Sequence, residues 1–286
     1  MPEGTLPAGT VEYLDTGGDG PVLLFLHGVL TDATLWRPVV DELAGTYRCV
    51  VPTLPLGSHR RPLHEDADCT PLGLADLLAE LVERLALSAV TVVANDTGGA
   101  LAQLWVAKRP DVVRRLVLTS CDAFENFPPG LPGRACVAAA YLPGGLWLAG
   151  QTLRAAALRR LPVTFGWMAK RPLSPAAADR WFDPVRRSRG VRRDVGRFLR
   201  AVSSRDTSWA AAQLPHYDRP ALVGWAGEDR VMPPAHGRRL AELLPDARYV
   251  EVADSYTLLP WDQPSRLAAA IAEFLADTDA AVSSPR

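Results

Sequence analysis

The sequence predicts an α/β protein in which a mostly parallel central sheet is flanked by helices and interrupted by one inserted helical lid. Short apolar runs alternate with helical patterns over the first 120 residues, and this alternation resumes near residue 221. The intervening stretch is rich in Arg, Ala, Pro and Trp and contains no convincing strand. We therefore predict a core formed by residues 1–122 and 217–286, with a helical lid at residues 123–216.

The elements follow from hydrophobic periodicity. Apolar, β-branched runs predict strands at residues 21–26, 48–51, 89–94, 116–119, 221–226 and 247–252. Leucines or other apolar residues at helical spacing predict helices at residues 74–85, 100–107, 134–141, 150–161, 176–182, 191–202, 236–244 and 266–275. The small, polar tail at residues 278–286 is expected to fray.

Composition excludes several functional classes. The chain has 286 residues, 48% of them hydrophobic, and a formal net charge of −1. A chain of this length buries about three quarters of its unfolded surface, so one large core is expected. The charge gives no reason to expect nucleic acid or an anionic membrane as partner, which leaves a small-molecule substrate. The four cysteines lack metal-ligand spacing and a secreted-domain framework, so we expect reduced thiols and no metal. The N-terminal residues lack a signal-peptide pattern and no run of about 18 apolar residues occurs, so we expect a cytoplasmic location. No cofactor is expected. The oligomeric state stays open.

The strongest chemical motif is Ala94-Asn-Asp-Thr-Gly-Gly99, which joins a predicted strand to a predicted helix. Small residues at positions 94 and 98 flank Asp96 with the spacing of a nucleophile elbow, a sharp turn that raises the central side chain above the sheet. Asp tolerates the unusual backbone angles of such a turn better than a branched residue. Asp96 is therefore either the catalytic residue or a helix cap.

Together with this elbow, the loop His27-Gly28-Val29-Leu30, the inserted lid and Gly227-Glu-Asp229 resemble the α/β-hydrolase superfamily over nearly the whole chain. The resemblance implies the α/β-hydrolase fold, with the N–H groups of Val29 and Thr97 forming an oxyanion hole. His27 either shapes its loop or contacts substrate. An Asp at the elbow resembles the haloalkane dehalogenase and epoxide hydrolase branch, in which that Asp forms an ester that a histidine-activated water hydrolyses.

Two features depart from that branch. Dehalogenases resembling this layout carry an Asn and a Trp to hold the halide where this chain has Val29 and Thr97. Epoxide hydrolases present two lid tyrosines, whereas this lid offers Tyr141, with Tyr217 only at its end. The resemblance implies Asp229, or alternatively Asp122, as the carboxylate that supports Asp96.

The expected catalytic histidine is missing from the segment after the last strand. Residues 254–264 align without a gap to the pattern Asp-Ser-Gly-His-x-x-Pro-x-x-x-Pro, and Tyr256 and Thr257 replace its Gly and His. A threonine hydroxyl is too weak a base to activate water, and losing the base costs up to about 10⁶ in rate in hydrolytic triads. His59, in the loop after the strand at residues 48–51, is either a surrogate base or a solvated loop histidine. We expect Tyr256 or Thr257 to donate a hydrogen bond to Asp96.

Three functions remain open. The first is a hydrolase with Asp96 as nucleophile. The second is an enzyme that catalyses a non-hydrolytic step, such as elimination or isomerisation, with Asp96 as base. The third is a binding protein without catalytic activity. The lid tryptophans suit an aromatic or polycyclic ligand, or else form the lid core. Besides His27 and Tyr141, we expect Trp36 and Trp147 to contact the substrate.

Overall fold

The computed structural model describes residues 1–283, and side-chain burial for residues 1–280. The strands in this part of the chain are β1 (Glu3–Leu6), β2 (Gly9–Asp15), β3 (Val22–Leu26), β4 (Arg48–Pro52), β5 (Val90–Asp96), β6 (Val113–Cys121), β7 (Ala221–Ala226) and β8 (Ala247–Val252). The α-helices are α1 (Arg37–Leu43), α2 (Pro71–Arg84), α3 (Thr97–Lys108), α4 (Gly130–Tyr141), α5 (Gly145–Thr152), α6 (Ala156–Arg159), α7 (Pro175–Arg187), α8 (Arg189–Ala201), α9 (Ser204–Gln213), α10 (Pro234–Leu243), α11 (Leu259–Asp262) and α12 (Pro264–Ser283).

These strands form one eight-stranded sheet with the order β1-β2-β4-β3-β5-β6-β7-β8. Strands β3 to β8 pair in parallel, whereas β1 pairs with β2, and β2 with β4, in antiparallel fashion. The predicted class, a mostly parallel sheet flanked by helices, is confirmed. Because parallel strands end at one edge, the residues after β3, β5, β6, β7 and β8 share that edge of the sheet.

Alternate residues of each central strand feed two hydrophobic layers, because strand side chains point to opposite faces. Leu24 and Leu26 of β3 join the layer that contains α2 and α3. Leu23 and Phe25 join the layer that contains α1 and α12. Burial on both faces explains why these strands are continuous apolar runs in the sequence.

Residues 123–216, called the helical insertion below, contain α4 to α9 and connect β6 to β7. Helix α4 packs on α5 and α8, α5 packs on α7, and α9 packs on α3. Within the described chain this connection contains no strand. Whether the insertion acts as a lid stays a prediction.

Several element predictions are corrected. Strands β1 and β2 were not predicted, because β1 lies at the sheet edge and β2 is only half-buried, so neither is a continuous apolar run. The helix predicted at residues 150–161 is two short helices, α5 and α6, separated at residues 153–155. Helix α12 continues through the tail that was expected to fray, as far as Ser283. The prediction for residues 284–286 lies outside the described residues.

Candidate active site

The strand-to-helix turn at Asp96 has the geometry of a nucleophile elbow. Asp96 ends β5 with φ 55° and ψ −133°, and α3 begins at the next residue. A Cβ at Gly98 would lie 2.6 Å from the Leu26 carbonyl oxygen, and a Cβ at Gly99 would lie 2.2 Å from Cys121 Cβ. The helix can therefore approach the sheet this closely only because both positions are glycine.

The Asp96 carboxyl group is almost completely buried and lines a cavity above the sheet edge. Burial raises the pKa of Asp96 to about 7; the Thr97 N–H opposes this rise and the negative charge of Asp229 adds to it. A buried carboxylate with this pKa is partly protonated at neutral pH. It can act as a poorly solvated nucleophile or exchange a proton with a bound molecule.

Gly28 leaves the space that the Asp96 carboxyl group occupies, since a Cβ there would lie 1.9 Å from Asp96 Oδ2. We expect Gly28→Ala to displace the carboxyl group or the loop, and to destabilise the fold by about 1–3 kcal/mol through overpacking. Denaturant unfolding would measure the loss of stability. A changed affinity for a ligand bound in the cavity would report the displacement of the Asp96 carboxyl group or of the loop. Gly45→Ala, where a Cβ meets no atom within 4 Å, is the control. Equal stability of the two variants would contradict the expectation.

Asp229 follows β7 and is held by three donors. Its Oδ1 accepts hydrogen bonds from the N–H groups of Val231 (2.9 Å) and Met232 (2.8 Å) and from the Thr257 hydroxyl (2.7 Å). Burial raises the pKa of Asp229 to about 6, and these donors oppose the rise. Asp229 Oδ2 has no hydrogen-bond partner among the described residues.

The expectation that Thr257 or Tyr256 donates a hydrogen bond to Asp96 is corrected. The Thr257 hydroxyl donates to Asp229 instead, and its carbonyl oxygen accepts a hydrogen bond of 2.8 Å from Asn95 Nδ2. The ring of Tyr256 lies under Arg230, with the guanidinium carbon 4.9 Å from the ring centre, and its N–H donates to Asp262. Tyr256 and Thr257 are thus held by neighbours other than Asp96.

Asp122, the alternative supporting carboxylate, follows β6, the strand that pairs with β5. Its Oδ2 accepts a 3.0 Å hydrogen bond from the Thr97 hydroxyl, and its Oδ1 has no partner in the described chain. Burial, followed by the negative charge of Asp96, raises the pKa of Asp122 well above its usual value. The charge of Asp229 raises the pKa of Asp96, and the charge of Asp96 raises the pKa of Asp122, so both predicted carboxylates are electrostatically connected to Asp96.

These buried carboxyl groups give stability a defined pH dependence. Folded Asp96 keeps its proton up to a pH of about 7, whereas an unfolded Asp loses it near 3.9. Between these values the native state binds more protons than the unfolded state, so this group lowers the unfolding free energy as the pH rises. Asn does not titrate, so it removes this pH dependence. We expect the unfolding free energy of Asp96→Asn, taken relative to that of the unmodified protein, to rise by roughly 2 kcal/mol from about pH 5 to about pH 8. Urea unfolding at both pH values measures this, and a constant difference would contradict it.

His27 shapes its loop. It is fully buried, Nδ1 lies 2.9 Å from the Gly28 carbonyl oxygen, and Nε2 accepts a hydrogen bond of 2.9 Å from the Leu54 N–H. Burial lowers the pKa of His27 to about 4, so the ring is neutral at physiological pH. The structural interpretation is therefore favoured over substrate contact. The loop leaves the Val29 N–H without a hydrogen-bond partner in the described chain, as an oxyanion hole requires.

His59 does not face Asp96, and its interpretation as a surrogate base is corrected. Its Nε2 lies 3.2 Å from Asp194 Oδ2 on α8, and the ring is buried away from the cavity. His59 is therefore neither the base nor a solvated loop residue. It joins the core to the helical insertion.

The structure also places three expected substrate contacts away from the cavity. Trp36 is fully buried in the layer of α1 and α12 and packs on Phe25, with ring centres 5.1 Å apart. Tyr141 and Trp147 are 63% and 47% exposed on the outer surface. A role for these side chains in the cavity is withdrawn, because residue type indicates that a side chain can contact an apolar ligand but not which side of the molecule it faces.

The cavity has a volume of about 240 Å³ and an almost entirely apolar wall. Its lining residues are Val29, Leu30, Asp96, Thr97, Phe127, Pro128, Pro129, Pro132, Gly133, Ala135, Cys136, Ala149, Thr152, Leu153, Val163, Thr164, Phe165, Met168, Phe198, Leu199 and Val202. None of them is a tryptophan or a histidine, so of the two interpretations of the lid tryptophans, contact with a ligand in this cavity is wrong. Sequence reasoning missed the aromatic wall of Phe127, Phe165 and Phe198. A local sign of this aromatic wall in the sequence is the Phe127-Pro-Pro129 run soon after β6.

The geometry defines the class of protein. The model of the alpha/beta hydrolase fold family matches residues 21–264, and the chain therefore belongs to that family. No helix among residues 1–283 is both long and apolar enough to cross a membrane.

Several relatives of the chain are enzymes by name. The chain is 28% identical to the cis-3-alkyl-4-alkyloxetan-2-one decarboxylase of Xanthomonas campestris pv. campestris, over 94% of this chain and 93% of that protein. It is 31% identical to a haloalkane dehalogenase of Mesorhizobium japonicum, over 47% of this chain and 44% of that protein. The crystal structure of an ancestral haloalkane dehalogenase superposes with a TM-score of 0.78 at 23% identity, covering 98% of this chain and 100% of that one, which shows the shared fold. The protein is an enzyme of the α/β-hydrolase superfamily.

Proposed function

We propose that the protein is a non-hydrolytic lyase that removes CO₂ from a small, apolar four-membered cyclic ester, with Asp96 as the nucleophile. The observation that carries this proposal is the environment of Asp96. The cavity holds this carboxyl group but no histidine, and Thr257, where the sequence pattern expects the base, donates its hydroxyl to Asp229. A reaction that consumes no water needs no group to activate water.

Decarboxylation of an oxetan-2-one balances with Asp96 alone. An Asp96 oxygen forms a bond to C4 while the C4–O1 bond breaks, which leaves the former carbonyl group as a free carboxylate on C3. The C3–C2 bond then breaks to release CO₂. Its electron pair forms the C3=C4 double bond, and the C4–O bond to Asp96 breaks. The carboxylate of Asp96 is regenerated, and neither a proton nor water is consumed.

The cavity suits both steps. An apolar wall solvates a compact carboxylate poorly, which activates Asp96 for attack and favours loss of CO₂ from the ring-opened intermediate. The Val29 N–H is available to bind the ring carbonyl oxygen as negative charge develops on it. The first relative named above acts, by its name, on a cis-3-alkyl-4-alkyloxetan-2-one.

Product analysis in ¹⁸O-labelled water tests the proposal. With a short-chain cis-3,4-dialkyl-oxetan-2-one, we expect one alkene and one CO₂ per substrate consumed, and no 3-hydroxy acid. A 3-hydroxy acid carrying ¹⁸O would instead identify a hydrolase. Binding without any product would identify a silent binding protein, and either result would overturn the proposal.

A further inference from the structure

Charge is divided unevenly between the helical insertion and the rest of the chain. Residues 123–216 contain 14 Arg and one Lys but only five Asp or Glu, a net charge of +10. The other residues carry 16 basic and 27 acidic side chains, a net charge of −11, so the whole chain has −1. The near-zero total, which gave no reason to expect an anionic partner, is thus the sum of two large opposite charges.

The same insertion carries most of the exposed apolar surface. Of the ten large hydrophobic side chains that are exposed among residues 1–280, eight lie in α4, α5, α6 and their connections. They form what we call the insertion patch: Leu131, Tyr141, Leu142, Trp147, Leu148, Leu158, Leu161 and Val163. All eight lie between residues 131 and 163 of the chain. Contiguous exposed apolar surface marks interaction sites in soluble proteins, whereas single exposed apolar residues do not.

Acidic side chains are excluded from this part of the chain. Residues 126–178, which include the whole insertion patch, contain six basic residues and no Asp or Glu. Nine arginines of the insertion have no carboxylate within ion-pair distance in the described structure. They are Arg134, Arg154, Arg159, Arg160, Arg189, Arg192, Arg197, Arg200 and Arg205.

Patch residues and arginines meet on the same outer surface. Leu142 and Trp147 line an open cleft together with four arginines of α8, Arg189, Arg192, Arg193 and Arg200. One acidic side chain from outside the insertion, Glu65, also lines this cleft and forms an ion pair with Arg193. The Tyr141 hydroxyl donates a 3.3 Å hydrogen bond to the Arg200 carbonyl oxygen. Apolar side chains and cations are therefore neighbours on this surface, in the combination found on interfacial membrane-binding helices.

The patch also reaches the substrate cavity. Val163 is 43% exposed and at the same time lines the cavity around Asp96. Ala149 and Thr152 of α5 line the cavity too, while Trp147 and Leu148 of the same helix are exposed. One short helix thus connects the outer surface to the cavity wall.

We propose that the insertion patch docks on an anionic phospholipid bilayer, with Trp147 and its apolar neighbours entering the interface and the surrounding arginines facing the headgroups. Tryptophan and tyrosine favour the headgroup level, and each arginine near an anionic surface adds to the attraction. The complete lack of carboxylates over residues 126–178 favours lipid over a protein partner, because protein interfaces tolerate acidic groups that an anionic surface repels. The proposal is independent of the reaction at Asp96.

Cosedimentation of the full chain with vesicles tests the docking. We expect binding to vesicles of equimolar phosphatidylglycerol and phosphatidylcholine, little binding to phosphatidylcholine alone, and weakening with added salt. Arg154→Glu combined with Arg160→Glu is expected to lower the partition coefficient at least about tenfold. Trp147→Ala combined with Leu148→Ala is expected to lower it about tenfold through lost apolar insertion.

Matched controls lie elsewhere on the surface. Arg84→Glu combined with Arg266→Glu changes the net charge by the same amount at exposed positions outside the helical insertion. Trp209→Ala removes an exposed tryptophan outside the patch. Both controls are expected to bind within about twofold of the unmodified protein. Equal losses in patch and control variants, or no binding to either vesicle, would overturn the proposal. Light scattering that shows a dimer dissociated by the patch variants, without vesicle binding, would assign the patch to a second copy of the chain and also overturn it.

A second measurement does not depend on a destabilising variant. Brominated lipids quench tryptophans that enter the interface, so the unmodified protein should lose fluorescence on brominated anionic vesicles. Trp147→Phe should lose clearly less. Equal quenching of the two proteins would contradict docking through the insertion patch, even if the protein binds vesicles.

Discussion

Replacing Asp96 with Asn is expected to abolish turnover while leaving ligand binding intact. The amide has the same shape as the carboxyl group, so the apolar wall that surrounds it should keep its form. An amide oxygen is a far weaker nucleophile, and single catalytic groups of comparable sites contribute about 10⁴ or more to the rate. We therefore expect kcat/KM to fall by at least about 10³-fold, with the Kd of an unreactive substrate analogue within about threefold of the original value.

Kinetics of product formation and calorimetric titration of the analogue measure the two effects separately. Asp111→Asn, an exposed change of the same chemical type, is the control and should keep full activity. If Asp96→Asn kept full activity, Asp96 would not be the reacting group. If it lost binding and activity together, the carboxyl group would act in substrate binding instead.

Placing a histidine at position 257 is expected to divert the reaction towards hydrolysis. The Thr257 hydroxyl lies 2.7 Å from Asp229 Oδ1, after the last strand and at the same sheet edge as Asp96. An imidazole there can bond to Asp229 through one nitrogen and activate water with the other. Such a water would attack the ester formed on Asp96 before CO₂ is lost. We expect 3-hydroxy acid to appear as a product beside the alkene, which is the organic product expected of the unmodified protein.

The ¹⁸O content of the products distinguishes a reaction diverted to hydrolysis from a loss of folding. Thr257 is fully buried, so the larger imidazole is expected to cost about 1–3 kcal/mol of stability. Thr257→Val is the matched control, because it removes the hydroxyl without adding a base and should leave alkene as the product. Mass spectrometry in ¹⁸O-labelled water measures the hydroxy acid, and circular dichroism verifies folding. The same product ratio in both folded variants would contradict a base at this position.

The two predictions depend on one residue that the sequence indicates and on one contact that only the fold creates. Asp96 was found from the sequence, because an elbow needs small residues at fixed positions around its central residue, and Gly98 and Gly99 carry that constraint locally. The partner of Thr257 could not be found that way. Thr257 and Asp229 are separated by 28 residues, and only the pairing of β7 with β8 brings their loops together.

Errors in the site predictions have the same origin. The sequence favours His59 because it follows β4 near the sheet edge, yet its Nε2 lies 3.2 Å from Asp194 Oδ2, 135 residues away on α8. Trp36, Tyr141 and Trp147 were chosen by residue type, and their exposure or burial was set by packing between distant elements. The aromatic wall of the cavity was missed because Phe127, Phe165 and Phe198 come from three separate segments of the chain.

The amount of charge is known from the sequence, whereas its position on the surface depends on the fold. The count of basic and acidic residues is a property of the sequence, and its near balance concealed an insertion with a net charge of +10. The folded chain places Trp147 and Leu142 beside arginines of α8 on one surface.

The sequence by itself determined the α/β class, the parallel strands and the elbow at Asp96, because hydrophobic periodicity and turn sterics act between residues close in the chain. Only the tertiary structure decided what surrounds Asp96, which carboxyl group Thr257 contacts and which surface carries the exposed apolar residues. Each of these depends on contacts between segments far apart in sequence. Burial among such segments, and not any local motif, raises the pKa of Asp96 to about 7.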